Sequence, residues 1–323
     1  MPSSPCSCTG RLNQGWVYRD RIAGPEAGQS VLDFYTRRYT HSNRAEWRER
    51  IESGTVLLDE GSTRCDAKLR DGQVLSYHRP PWREPASPRS FALVWEDGDL
   101  VAVSKPAGLQ VMPGGEFLEN TLLWLLRPRF GGEIAPVHRL GRGTSGLVLF
   151  ARTALSKRGL AQEFRRGRLQ KTYRALVQGH PSLDAFTVDA AIGPVPYAPL
   201  GEVFAARPEG KESLTLVRVV ERRHEQGERT ALVEVKIPTG RPHQIRIHMA
   251  TAGFPLVGEP FFGAGGLPRA TWTGQRPPLP GDCGYHLHAM KIGFPHPRDR
   301  SWKALYSAPP RILTPASSSI PAA

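Results

Sequence analysis

Hydrophobic and polar positions divide the chain into two patterned stretches separated by a proline-dense gap. In the first, Val31, Leu32, Phe34 and Tyr35 recur at helical spacing after Ser30. Asn43 opens a second short helix as a capping box of N-x-x-E form, its side chain capping while Glu46 returns the bond. Trp47 and Ile51 mark its buried side, Arg44 and Arg48 share another face, and Gly54 ends it. Two short strands, Thr55–Leu58 and Gln73–Tyr77, flank a loop with Gly61. Residues 1–28, rich in Ser, Gly and Pro, read as an extended lead-in, and residues 79–90 as a Pro-rich linker.

The second stretch, residues 91–313, alternates strands and helices. Ala92–Trp95 and Leu100–Ser104 predict a hairpin, and Lys105-Pro106-Ala107-Gly108 breaks it. Thr121–Leu126 reads as a helix that stops before Pro128. Leu147–Phe150 is apolar throughout and reads as a buried strand. Thr153–Arg166 follows as a helix, with Leu160, Ala161 and Phe164 in one stripe and Gly167 as its stop. Lys171–Val177 is a strand, and Leu214–Glu221 with Thr230–Ile237 a hairpin whose Ala231, Val233, Val235 and Ile237 face inward. Thr239-Gly240-Arg241-Pro242 starts a helix that ends at Gly253. Residues 314–323 form a tail expected to be disordered. The fold class is α+β: a small N-terminal module, then a mixed, largely antiparallel sheet flanked by helices.

Composition narrows the class. At 323 residues the chain is long enough for two domains, and a mean hydropathy of −0.38 is that of a soluble globular protein. No stretch reaches the roughly 18 apolar residues of a membrane span, and the N-terminus lacks the pattern of a signal peptide, so a cytoplasmic location is expected. Net charge is +13 and Arg far outnumbers Lys. Arginine forks suit phosphate and stack on bases, which favours a nucleic-acid partner, although a GC-rich genome would also enrich Arg. Four cysteines form no zinc set, and His243 and His248 lack metalloprotease spacing, so no metal is expected.

Chemistry concentrates in His138-Arg139-Leu140-Gly141-Arg142-Gly143-Thr144-Ser145-Gly146, seated directly before the buried strand. Its G-x-G-x-x-G spacing is that of a dinucleotide loop, but Gly146 leads into a strand, whereas pyrophosphate needs a helix N-terminus there.

The same nine residues resemble the H-R-L-D-x-x-T-S-G signature of RluA-type pseudouridine synthases. Three further segments match that family in order: Lys105-Pro106-Ala107-Gly108, Lys171-Thr172-Tyr173-Arg174-Ala175, and Thr239-Gly240-Arg241-Pro242-His243-Gln244-Ile245-Arg246-Ile247-His248. Leu287-His288-Ala289-Met290 fits its closing strand. The resemblance implies isomerisation of uridine to pseudouridine in structured RNA, rRNA or tRNA, with the target base flipped from its stack. It implies no cofactor, and the expected protein is a monomer with RNA as its partner and no protein partner.

By resemblance Arg139 fills the vacated stack, Tyr173 supports the flipped base, and Arg246 holds the family's aspartate ionised. His138, Arg142, Thr144, Arg241, His243, Gln244 and Lys105 are further RNA-binding candidates. Residues 29–78 resemble a compact S4 RNA-binding module, which would engage RNA through Arg44 and Arg48. The aspartate position, however, is Gly141, which carries no acid. A relocated carboxylate, Glu133 or Glu259, would restore catalysis. Without one, the chain would be a catalytically impaired RNA-binding pseudoenzyme.

Overall fold

The computed structural model describes residues 10–225, 227–272 and 274–316. The chain divides into two compact units, one ending at Ala86 and the other beginning at Ser87.

In the first unit, strand β1 (Trp16–Arg21) precedes helices α1 (Val31–Arg38) and α2 (Arg44–Glu52), then strands β2 (Val56–Leu58), β3 (Gly61–Ser62) and β4 (Val74–Arg79). Ser30 caps α1 by accepting from the Asp33 amide. The Asn43–Glu46 capping box opens α2 with bonds of 3.0 and 2.8 Å. The apolar faces meet in one core, where the Tyr35 and Trp47 rings stack at 4.5 Å. The four strands run in the order β1-β4-β2-β3.

Two boundaries differ from expectation. The lead-in contains β1, paired antiparallel with β4 from Trp16↔Arg79 to Arg21↔Val74. Its sequence, WVYRDR, has no clean apolar alternation because the strand is held by its backbone ladder at a sheet edge rather than by a buried face. The proline-rich segment is also partly built in: Arg79 closes β4, Leu12 bridges Arg83, and Asn13 Nδ2 donates to Glu84 Oε1 at 2.9 Å. Residues 1–9 of the lead-in and 317–323 of the tail lie outside the described residues.

The second unit contains β5 (Ala92–Glu96), β6 (Leu100–Lys105), α3 (Leu122–Phe130), β7 (Ala135–Pro136), β8 (Ser145–Ala151) and α4 (Ala154–Arg165). Then come β9 (Gln170–Gln178), β10 (Ala185–Val188), β11 (Ile192–Tyr197), β12 (Gly201–Ala206), β13 (Thr215–Glu225) and β14 (Glu228–Lys236). Helix α5 (Gln244–Thr251) and strands β15 (Leu287–Pro295) and β16 (Trp302–Tyr306) complete it.

Its ten-stranded sheet follows the order β10-β13-β14-β9-β15-β8-β6-β5, with β16 on β15 and β7 on β8, while β11 and β12 form a separate ribbon. Every pairing in the large sheet is antiparallel except β15 with β8. The principal core lines one face of this sheet and includes Val148, Phe150, Tyr173, Val233 and Val235. This is the mixed, largely antiparallel α+β fold expected from the sequence.

Two helix ends also differ. Pro128 lies inside α3 rather than beyond it. It removes one N–H in the last turn, a loss outweighed by burial of Leu122, Leu123 and Leu126. Helix α5 begins only at Gln244, with His243 in the left-handed conformation (φ 56°) before it, so Pro242 stands outside the helix. The Gln244 side chain shapes that turn: its Oε1 accepts from the Arg241 amide at 3.0 Å and from Thr239 Oγ1 at 2.9 Å.

Candidate active site

The loop after β7, strands β9 and β15 and helix α5 converge on a cavity of about 100 Å³. Arg139, Gly141, Thr144, Tyr173, Arg246 and Tyr285 line it.

The glycine-rich loop is held from below by a buried ammonium. Lys105, 1% exposed, donates from Nζ to the carbonyls of Leu109 (2.6 Å), Pro106 (2.9 Å) and Arg142 (3.1 Å). The Gly108 amide reaches the same Arg142 carbonyl at 2.8 Å. Burial drops the Lys105 pKa to about 7. At the loop's far end, Gly146 has φ 106°, and a Cβ there would lie 2.3 Å from the Ala289 carbonyl oxygen. Only glycine lets β8 and β15 approach in parallel at this register. His138 accepts the Leu149 amide at Nε2 (3.2 Å), and burial lowers its pKa to about 4, so the ring is neutral.

Arg246 forms the opposite wall. It is 2% exposed and binds Glu259 bidentately: Nε donates to Oε2 at 2.7 Å and Nη2 to Oε1 at 2.6 Å. Glu259 Oε1 also accepts the amides of Phe261 (2.9 Å) and Phe262 (3.1 Å). Arg246 Nη1 donates to the Pro280 carbonyl and to His243 Nδ1 at 3.3 Å. Burial beside this guanidinium lowers the His243 pKa to about 3. Two charges this deep persist only when paired and fully hydrogen-bonded, as these are.

Glu259 is therefore the partner of Arg246, but its carboxylate is spent on the guanidinium and two amides and does not line the cavity. Glu133 is exposed and also outside the cavity. Among the described residues, none that lines the cavity is acidic.

The remaining sequence candidates fall into three groups. Arg139 is exposed at the cavity, and Tyr173, 7% exposed, presents its ring there, with burial raising its hydroxyl pKa. Arg241 and His243 also line it, although Arg241 is tied to the Glu212 carbonyl at 3.0 Å. Lys105, Gln244 and Thr144 are buried, and their polar atoms bond within the protein; the first two hold loops in place. Arg142 reaches the Gly281 carbonyl at 3.1 Å and lies over the Phe117 ring. Arg44 pairs with Asp33 at 2.6 Å on the exposed face of α2, and Arg48 is exposed on the same helix. These two belong to the first unit.

Sequence reasoning missed Tyr285. It stands two residues before the Leu287-His288-Ala289 segment, and no local periodicity or motif singles it out. Only the pairing of β15 with β8 and β9 carries it to the glycine loop.

Three of the four ordered motifs line this basic and aromatic cavity over the mixed sheet, and the fourth, at Lys105, braces the glycine loop from below. The family model described as RNA pseudouridylate synthase matches residues 99–251. An uncharacterized RNA pseudouridine synthase of Synechocystis is 40% identical over 287 residues, covering 88% of this chain and 96% of the relative. RNA pseudouridine synthase 5 of Arabidopsis thaliana is 39% identical, covering 88% and 90%. The solved structure of human RNA Pseudouridylate Synthase Domain Containing 1 superposes with a TM-score of 0.56 at 26% identity, covering 72% of this chain and 89% of that one. The chain belongs to the RNA pseudouridine synthase family, of the RluA type.

Proposed function

We propose that this protein isomerises uridine to pseudouridine within folded RNA, either rRNA or tRNA, acting as a monomer. One observation carries the reading. The cavity still presents Arg139, the Tyr173 ring and the Arg246 wall together, although residue 141 has no side chain. Extruding a base costs a few kcal/mol, and an exposed arginine beside a ring-lined cavity is suited to fill the gap and receive the base. A protein that merely held duplex RNA would have no use for a cavity lined by Arg139, Tyr173 and Arg246.

The first unit, with Arg44 and Arg48 on the exposed side of α2, supports a second RNA contact of the S4 type. Phosphate contacts of this kind set affinity without reading sequence.

The test is to incubate the purified protein with unmodified tRNA and rRNA transcripts and map pseudouridine by carbodiimide-dependent reverse-transcription stops. New stops at discrete uridines are expected, and Arg139→Ala should abolish them. Binding without any new stop would instead favour the pseudoenzyme reading. RNA affinity without steep salt dependence would remove RNA as the partner.

A further inference from the structure

The cavity offers a different oxygen in the region where Gly141 has no carboxylate. A Cβ at Gly141 would lie 3.1 Å from Tyr285 Oη and 3.6 Å from Thr144 Oγ1. A Cβ at Gly143 would lie 2.9 Å from two Tyr285 ring atoms and 3.1 Å from the hydroxyl. Both glycines border the volume that the Tyr285 ring fills, so side chains there and this ring compete for one space. The ring is also positioned: its hydroxyl is 3.2 Å from Thr144 Oγ1, and the Arg246 guanidinium carbon lies 4.2 Å from its centroid. Tyr285 lines the same cavity as Arg139, Tyr173 and Arg246.

We propose that Tyr285 is the nucleophile, its phenolic oxygen reaching C1′ of the flipped uridine from the region left open at position 141. This rests on the isomerase reading above. In the first step the Oη–C1′ bond forms as the N1–C1′ bond breaks. N1 takes the bonding pair, and the phenolic proton passes to the departing uracil at N1. After the base turns, C5 attacks C1′ and the Oη–C1′ bond breaks, returning its pair to oxygen. The C5 proton then passes to the phenolate. Atoms and charge balance, the enzyme is regenerated, and no oxidant or cofactor enters.

The environment suits a nucleophile that begins protonated. Burial raises the Tyr285 pKa against the opposing pull of Arg246 and the Thr144 bond, so the side chain arrives as a phenol with a proton to give. The guanidinium over the ring then faces the negative charge that builds as the proton leaves. Tyrosine already serves as a nucleophile at a sugar's anomeric carbon in sialidases.

The experiment compares wild type, Tyr285→Phe and the Gly141→Asp/Tyr285→Phe double variant on unmodified tRNA and rRNA transcripts. It also incubates wild type with transcripts carrying 5-fluorouridine. Phenylalanine keeps the ring packed on Arg246 and Gly143, so folding and RNA affinity should match wild type. Pseudouridine formation should fall about 10⁴-fold or more, as for removal of other catalytic nucleophiles. The double variant should regain activity, because removing the hydroxyl makes room for an aspartate. Fluorine at C5 cannot leave as the proton does, so a nucleotide adduct should accumulate on the tryptic peptide containing Tyr285. An active wild type with no adduct on Tyr285, or with Tyr285→Phe within tenfold of its rate, overturns the proposal. A wild type that binds these RNAs yet makes no pseudouridine overturns the isomerase reading, and this proposal with it. The adduct measurement stands even if a variant fails to fold.

Discussion

On one wall of the cavity, Arg246 and Glu259 form a buried ion pair closed by two side-chain bonds, two backbone amides and a backbone carbonyl. On the other, residues 141 and 143 are bare backbone, and a tyrosine more than 140 positions away, just ahead of β15, fills the space beside them. The first wall is built from charge, the second from exclusion of volume. Arg246 does not depend on an acid at position 141, because Glu259 holds it from behind. Loss of the loop carboxylate therefore leaves no orphaned buried charge, and the scaffold tolerates glycine where a carboxylate is expected by resemblance.

That contrast can be broken from either side. The largest effect should come from Glu259→Gln, which leaves the Arg246 charge buried and unpaired. Unfolding free energy measured in urea should fall by about 3–5 kcal/mol. A loss under 1 kcal/mol would mean that Arg246 has another partner.

On the opposite wall, Gly143→Ala should cost about 1–3 kcal/mol, because its Cβ meets the Tyr285 ring at 2.9 Å in an already packed region. Pairing it with Tyr285→Ala should recover much of that cost, and simple additivity in the double-mutant cycle would refute the steric account. Thr144→Val removes the bond to the Tyr285 hydroxyl and should cost about 1 kcal/mol, with a larger fractional effect on turnover than on stability.

The effect of pH is small only near neutrality. His138 and His243 have folded-state pKa values of about 4 and 3, against an ordinary 6.5. Between those values the unfolded chain binds more protons than the folded one, so stability falls as pH drops below about 6.5. Near pH 6 the loss should be slight and should grow toward pH 4. His138→Gln should flatten the slope, and an unchanged slope would show that folding does not shift the titration of this imidazole.

Short-range patterns were legible because their physics is local. The capping box at Asn43, the alternation of Ala231, Val233 and Val235, and the glycine stop at Gly167 depend on neighbours within a few residues. The polar edge strand β1 escaped notice because only its backbone is paired, and the late start of α5 because Gln244 caps its own turn through tertiary neighbours. The four motifs identified the cavity's family and most of its lining. Lys105 and Gln244 turn their polar groups inward to fasten loops, a placement that no motif records.

By itself, the sequence of this protein determined the order of its elements, its basic character, its family and the absence of an acid at position 141. Tertiary structure decided which partner holds Arg246 and which side chain stands beside Gly141. Both contacts join residues from different elements: Arg246 on α5 with Glu259 beyond it, and Gly141 with Tyr285 across the register of β8 and β15. Spacing along a chain records neither, because each arises only when packing brings separate elements within a few ångströms.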